Sequence, residues 1–110
     1  WLQMRLHPVA GERLWLLDEP QNALDLPHQQ RLRTQLKKES DEGACVIFST
    51  HDINFALRTA DRLIVLRQGE LCADAGPEDF ADKDLLQRVF GVPFCVSRHP
   101  VDNRPWVMAE

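Results

Sequence analysis

The sequence predicts an α/β chain in which parallel core strands are flanked by helices and a hairpin follows toward the carboxyl terminus. Three observations carry this. Leu14-Trp15-Leu16-Leu17 and Val46-Ile47-Phe48 are apolar runs without alternation, the pattern of strands buried on both faces of a parallel sheet. Each run ends abruptly in polar residues, Asp18-Glu19-Pro20 after the first and Ser49-Thr50-His51-Asp52 after the second, with a helical stretch between them. A third apolar run, Leu63-Ile64-Val65-Leu66, meets Gln68-Gly69 and a further strand-like segment, which reads as a hairpin.

Taken in order, residues 1–7 read as the last turns of a helix that Pro8 ends by restricting the residue before it. Residues 8–13 then form a surface loop. Pro20 stops the ladder of the first core strand. Asp25 is placed to cap the next helix and Pro27 suits its first turn, with the helix running to about residue 42 and stopping at Gly43. Only Leu32 and Leu36 mark an apolar stripe on it, so most of its surface, His28 included, is expected to be solvated. Cys45 starts the second core strand and reads as a small core residue.

Asp52 is a natural cap for a helix whose Ile53, Ala56, Leu57 and Ala60 fall at i, i+3, i+4 and i+7. After the hairpin, Gly76-Pro77 breaks the second strand. A helix from 82 or 83 to 90 follows, burying Leu85, Leu86, Val89 and Phe90, with Gly91 as its stop. Residues 93–110 are a tail that adds one or two small strands.

A chain of 110 residues lies near the small end for one domain and buries a modest core. The net charge of −4 argues against a nucleic-acid partner, which needs a clustered basic face. Three cysteines without a C-x-x-C favour reduced thiols in a cytosolic protein over disulfides or a zinc site. No apolar stretch approaches a membrane span and no signal peptide is visible, so membrane association would come through a partner.

Chemistry concentrates at the two strand ends. Open α/β sheets bind ligands beyond the carboxyl ends of their strands. Adjacent acids there suit phosphate chemistry, since one helps hold Mg²⁺, directly or through water, while the other polarises an attacking water. Asn22-Ala23-Leu24-Asp25 follows directly, and His51 is delivered to the same sheet edge just ahead of a helix, where its imidazole can hydrogen-bond a phosphate oxygen. His99, before a proline in the tail, reads as a surface histidine rather than a haem ligand.

In this order and spacing, the chain resembles the carboxyl-terminal part of the ATP-binding subunit of an ABC transporter. Residues 14–19 match the Walker B strand, residues 22–25 the D-loop, and His51 the switch histidine. The loop before Walker B, together with Val96-Ser97-Arg98-His99-Pro100, resembles the haem-importer branch, with siderophore and cobalamin importers as near relatives. The resemblance implies the carboxyl-terminal portion of the P-loop NTPase (ABC ATPase) fold, with residues 92–110 as its tail. It implies ATP and Mg²⁺ as cofactors, Asp18 at the metal, usually through water, and Glu19 as general base. His51 would sense the γ-phosphate, while Asn22, Ala23 and Asp25 would lie at the interface with a second ATP-binding subunit stacked head to tail. Implied partners are transmembrane permease subunits and a periplasmic or surface substrate-binding protein, with the ATPase peripheral on the cytoplasmic side of the bacterial inner membrane.

No G-x-x-x-x-G-K-[ST] loop, Q-loop glutamine or signature motif occurs in these residues, and the chain opens at Trp1. The expectation is a partial ATP-binding domain, a truncated product or partial gene that alone neither binds ATP tightly nor hydrolyses it. Two other readings stand beside the importer: an ABC-type ATPase acting on nucleic acid or ribosomes, and a non-catalytic remnant serving as an interaction module. Trp15 stands where an aliphatic residue is usual and Gln21 where a small hydroxyl residue is common. Neither is expected to touch the carboxylates.

Overall fold

The computed structural model describes residues 4–6 and 13–110. They divide into two compact units, Trp1–His51 and Asp52–Glu110.

In the first unit a three-stranded sheet has the order β1 (Met4–Leu6), β2 (Leu14–Asp18), β3 (Cys45–Ser49), with β1 antiparallel and β3 parallel to β2. The initial segment is therefore a strand over residues 4–6 and not the end of a helix. The hydrogen-bonding edge of β2 is met there by an extended segment, Arg5 opposite Leu16, which a helical segment would leave unpaired. The expected surface loop lies, but for Arg13, outside the described residues. Helix α1 (Leu26–Asp41) links β2 to β3, as a parallel pair requires. Asp25 caps it by accepting from the His28 backbone N–H at 3.0 Å, Pro27 sits in its first turn, and Gly43 follows at φ 95°. The Asp25 carboxyl is held below its ordinary range by the His28 ring and then by that backbone N–H.

Helix α1 buries Leu32 and Leu36 as expected, and also Glu39, whose charge is met by Arg13 at 3.3 Å and by the Gln35 amide at 3.1 Å. Leu17 is buried and Trp15, Val46 and Phe48 half-buried on one side of the sheet. On the other side Leu16, Ile47 and Cys45 are exposed. This corrects two expectations: among the described residues the core strands are covered on one face, and Cys45 is exposed. One helix shields one face of a strand pair, and residues alternate between faces with period two.

The second unit begins at α2 (Ile53–Thr59), capped by Asp52, which accepts from the Phe55 N–H at 3.0 Å. Strands β4 (Leu63–Arg67) and β5 (Glu70–Ala75) form the expected hairpin. Its turn places Gln68 and Gly69 at φ 52° and 78°, the two left-handed positions of a type I′ connection. A short helix α3 (Pro77–Phe80) precedes α4 (Lys83–Phe90), which Asp82 caps and Gly91 ends at φ 80°. Strands β6 (Phe94–Arg98) and β7 (Pro105–Ala109) close the chain as an antiparallel hairpin.

Leu57, Leu63, Phe80, Leu86, Phe94 and Val107 form the core of this unit. Polar side chains complete its backbone. Asn54 exchanges two hydrogen bonds with the backbone of Val107, at 2.8 and 2.9 Å, as a neighbouring strand would. The Arg104 guanidinium donates to the carbonyls of Leu57 and Ala60, which the end of α2 leaves unmet.

The β6–β7 turn is organised by polar contacts. His99 accepts from the Val101 N–H at 3.1 Å and stacks edge-on to Trp106, so it is half-buried rather than a surface residue. Burial raises the Asp102 carboxyl, but the Arg104 backbone N–H and the Arg58 guanidinium stabilise its charge and leave it below the ordinary range. A lowered folded pKa adds stability that is complete above the unfolded value, about 3.9, and is lost as the pH falls through the folded value. The urea midpoint should therefore be higher for the native chain than for Asp102→Asn at pH 7, with the gap closing as the pH falls below the unfolded value.

Candidate active site

The parallel register sets Asp18 opposite Ser49, so both strand ends deliver their polar residues to one edge of the first unit. The Ser49 hydroxyl donates to Asp18 Oδ1 at 2.6 Å, and the other Asp18 oxygen has no partner among the described residues. The Glu19 backbone N–H donates to the Ser49 carbonyl at 3.0 Å and lies 3.2 Å from its hydroxyl. Glu19 itself has φ 47°, a left-handed conformation that a side chain with a Cβ adopts at a cost. Such strain is concentrated at functional sites, and here it falls on the residue expected to be the base.

The Glu19 carboxylate is approached on both oxygens. Oε1 lies 3.2 Å from His51 Nε2, and Oε2 accepts from the Gln21 amide at 3.2 Å. The Glu19 side chain is 21% exposed and that of His51 98%, so the histidine is open to solvent while its Nε2 meets the carboxylate. Gln21 is buried and also donates to Thr50 Oγ1 at 2.5 Å. The expectation that Gln21 would not touch the carboxylates is thus corrected. Pro20 turns the chain so that the residue two beyond Glu19 folds back beneath it, with Asn22 N–H bonded to the Glu19 carbonyl at 3.0 Å.

Asp18, Glu19 and His51 therefore come together, and Ser49, Thr50 and Gln21 join them. Asn22 and Ala23 are exposed in the turn beyond, with Ala23 at φ 61°, and Asp25 is occupied at the α1 cap. A sequence signal existed for Ser49, the polar residue at the matching strand end. None existed for the reach of Gln21 to Thr50.

The donor set suits a hard divalent cation bound together with phosphates. Mg²⁺ takes one or two carboxylates and completes its shell with substrate oxygens and water, and Asp18 offers an exposed carboxylate with one oxygen unengaged. No cluster of three or more His, Cys, Asp or Glu that could hold a metal by itself occurs among the described residues. Among them, no helix is long and apolar enough to cross a membrane.

No family model matches the chain. Curated relatives do. A hemin import ATP-binding protein of Vibrio vulnificus is 38% identical over 104 residues, 94% of this chain and 40% of that protein. One of Photobacterium profundum is 39% identical over 92% of this chain and 37% of its own length. One of Rhodopseudomonas palustris is 41% identical over 99% of this chain and 40% of its own length. The chain thus spans about two fifths of the length of the relatives it matches. Among solved structures, a chain of an inward-facing metal-chelate type ABC transporter superposes with a TM-score of 0.76 at 22% identity, covering 88% of this chain and 40% of that one. That likeness establishes the fold. Along nearly its whole length the chain is similar in sequence to hemin import ATP-binding proteins, and in fold it is similar to a chain of an ABC transporter.

Proposed function

We propose that the chain carries the water-activating part of an ATP-hydrolysing site in the ATP-binding subunit of an ABC importer. The observation that carries this reading is the contact of Glu19 Oε1 with His51 Nε2 beside Asp18, at the carboxyl ends of two parallel strands. Glu19 is the general base: a water held on its carboxylate attacks the terminal phosphorus, its proton passes to Glu19, and the bond to the ADP oxygen breaks. His51 holds the other side of that water or a phosphate oxygen, which its exposed ring can reach. Asp18 would hold Mg²⁺, usually through water, its carboxylate oriented by the Ser49 hydroxyl. When bound, Mg²⁺ neutralises charge on the phosphate oxygens.

Asn22, Ala23 and Asp25 lie at the interface with a second, head-to-tail ATP-binding subunit, and the exposure of all three supports this. The cargo is haem or a related iron or cobalt chelate, a reading supported by the relatives' hemin import. Permease subunits and a substrate-binding protein complete the importer, and the ATPase sits peripherally on the cytoplasmic face of the bacterial inner membrane.

The test is a chimera in which this chain replaces the matching two fifths of the Vibrio vulnificus relative. ATP hydrolysis and growth on haem as sole iron source are measured. The expected result is turnover together with haem-dependent growth. A chimera that binds nucleotide but does not turn it over would overturn the assignment, and one that hydrolyses ATP without supporting growth on haem would overturn the cargo.

A further inference from the structure

We infer that Gln21 is a positioning residue that sets which oxygen of Glu19 faces the reacting water, an inference that rests on Glu19 being the base. Gln21 is only 6% exposed, yet it carries a long polar side chain two residues beyond the carboxylate. Its single amide nitrogen reaches Glu19 Oε2 at 3.2 Å and Thr50 Oγ1 at 2.5 Å. The amide therefore ties the loop after β2 to the loop after β3, 29 residues apart in sequence. Its polarity follows from its neighbour, since a reversed amide would set two oxygens against each other on the Glu19 side.

His51 cannot supply this anchoring. Its side chain is 98% exposed, and among the described residues its one polar contact is Glu19 itself. Support runs from Thr50 through Gln21 to Glu19, and only then to the histidine. With Oε2 taken by Gln21, Oε1 is the oxygen turned toward His51 and the water. Gln21 Oε1 is buried without a partner among the described residues. Methionine would fill a similar volume without leaving that acceptor unmet, so packing alone does not account for an amide here.

The experiment reads the clamp and the chemistry separately. In the nucleotide-free chain, side-chain amide ¹H–¹⁵N spectra should show one Gln21 proton shifted away from the exposed glutamines and returned toward them by Glu19→Ala. A Gln21 signal that ignores Glu19→Ala overturns the inference. In the chimera, Gln21→Met should lower kcat about ten- to hundredfold, with KM for ATP held within about twofold. Thr50→Val should act in the same direction and serves if Gln21→Met does not fold. A joint loss of kcat, nucleotide affinity and melting temperature would mark Gln21 as merely structural and overturn the inference. If Glu19→Gln leaves turnover intact, the base assignment falls, and the amide spectrum still reports whether the clamp exists. If Glu19→Gln abolishes turnover while Gln21→Met and Thr50→Val retain native kcat, the positioning role falls alone.

Discussion

Glu19→Gln in the chimera is expected to lower ATP turnover by about 10²–10⁴-fold, the usual contribution of a positioned general base, while nucleotide affinity stays unchanged. The substitution keeps the shape of the side chain and removes its capacity to take a proton. It also alters the contacts around it. Glu19 accepts from Gln21 on one oxygen and meets His51 on the other, but a glutamine has one acceptor and one donor end. Its oxygen will turn toward the Gln21 amide, where two donors would otherwise collide, and its nitrogen will face His51. The histidine then has to present an unprotonated Nε2 or swing away, which its exposure permits. Single-turnover hydrolysis and equilibrium nucleotide binding check the prediction, and turnover within a few fold of the native rate would remove Glu19 from the role of base.

Phe80→Ala should destabilise the second unit by about 3–5 kcal/mol, the usual cost of removing a buried ring together with the cavity it leaves. Phe80 is 2% exposed and belongs to the cluster of Leu57, Leu63, Leu86, Phe94 and Val107, drawn from two helices and three strands of that unit. Helix α3 has four residues, too short to persist without tertiary packing, so its one buried side chain holds it in place. Whole domains are stable by only about 5–15 kcal/mol, so a loss of this size leaves much of the unit unfolded at ambient temperature. Urea titration followed by fluorescence of Trp106, in β7 of the same unit, is the measurement. A loss below about 1 kcal/mol would mean that the site closes over the missing ring.

Much of the chain is legible in its order of residues. Asp25 and Asp52 cap the helices they precede, Gly91 ends α4, and Gln68-Gly69 makes the hairpin turn. Each of these is decided within a few residues, by a side chain reaching its own backbone or by a φ that glycine tolerates. The convergence of Asp18, Glu19 and His51 is legible for a related reason. Two apolar runs ending in polar residues place those residues on one edge once the strands pair in parallel.

What the sequence alone determined, then, is the elements of the parallel pair and the hairpin, the ends of several helices, and the placing of acids and a histidine at one sheet edge. Tertiary structure alone decided which side of the sheet is covered, and so that Leu16, Ile47 and Cys45 face outward. It also decided that residues 4–6 pair with β2 as a strand, that His99 is tucked against Trp106, and that Gln21 holds Glu19 from beneath. The physical reason is range. Caps and turns are set by neighbours along the chain, whereas cover, edge pairing and an amide bridging 29 residues depend on which surfaces meet after the strands have paired.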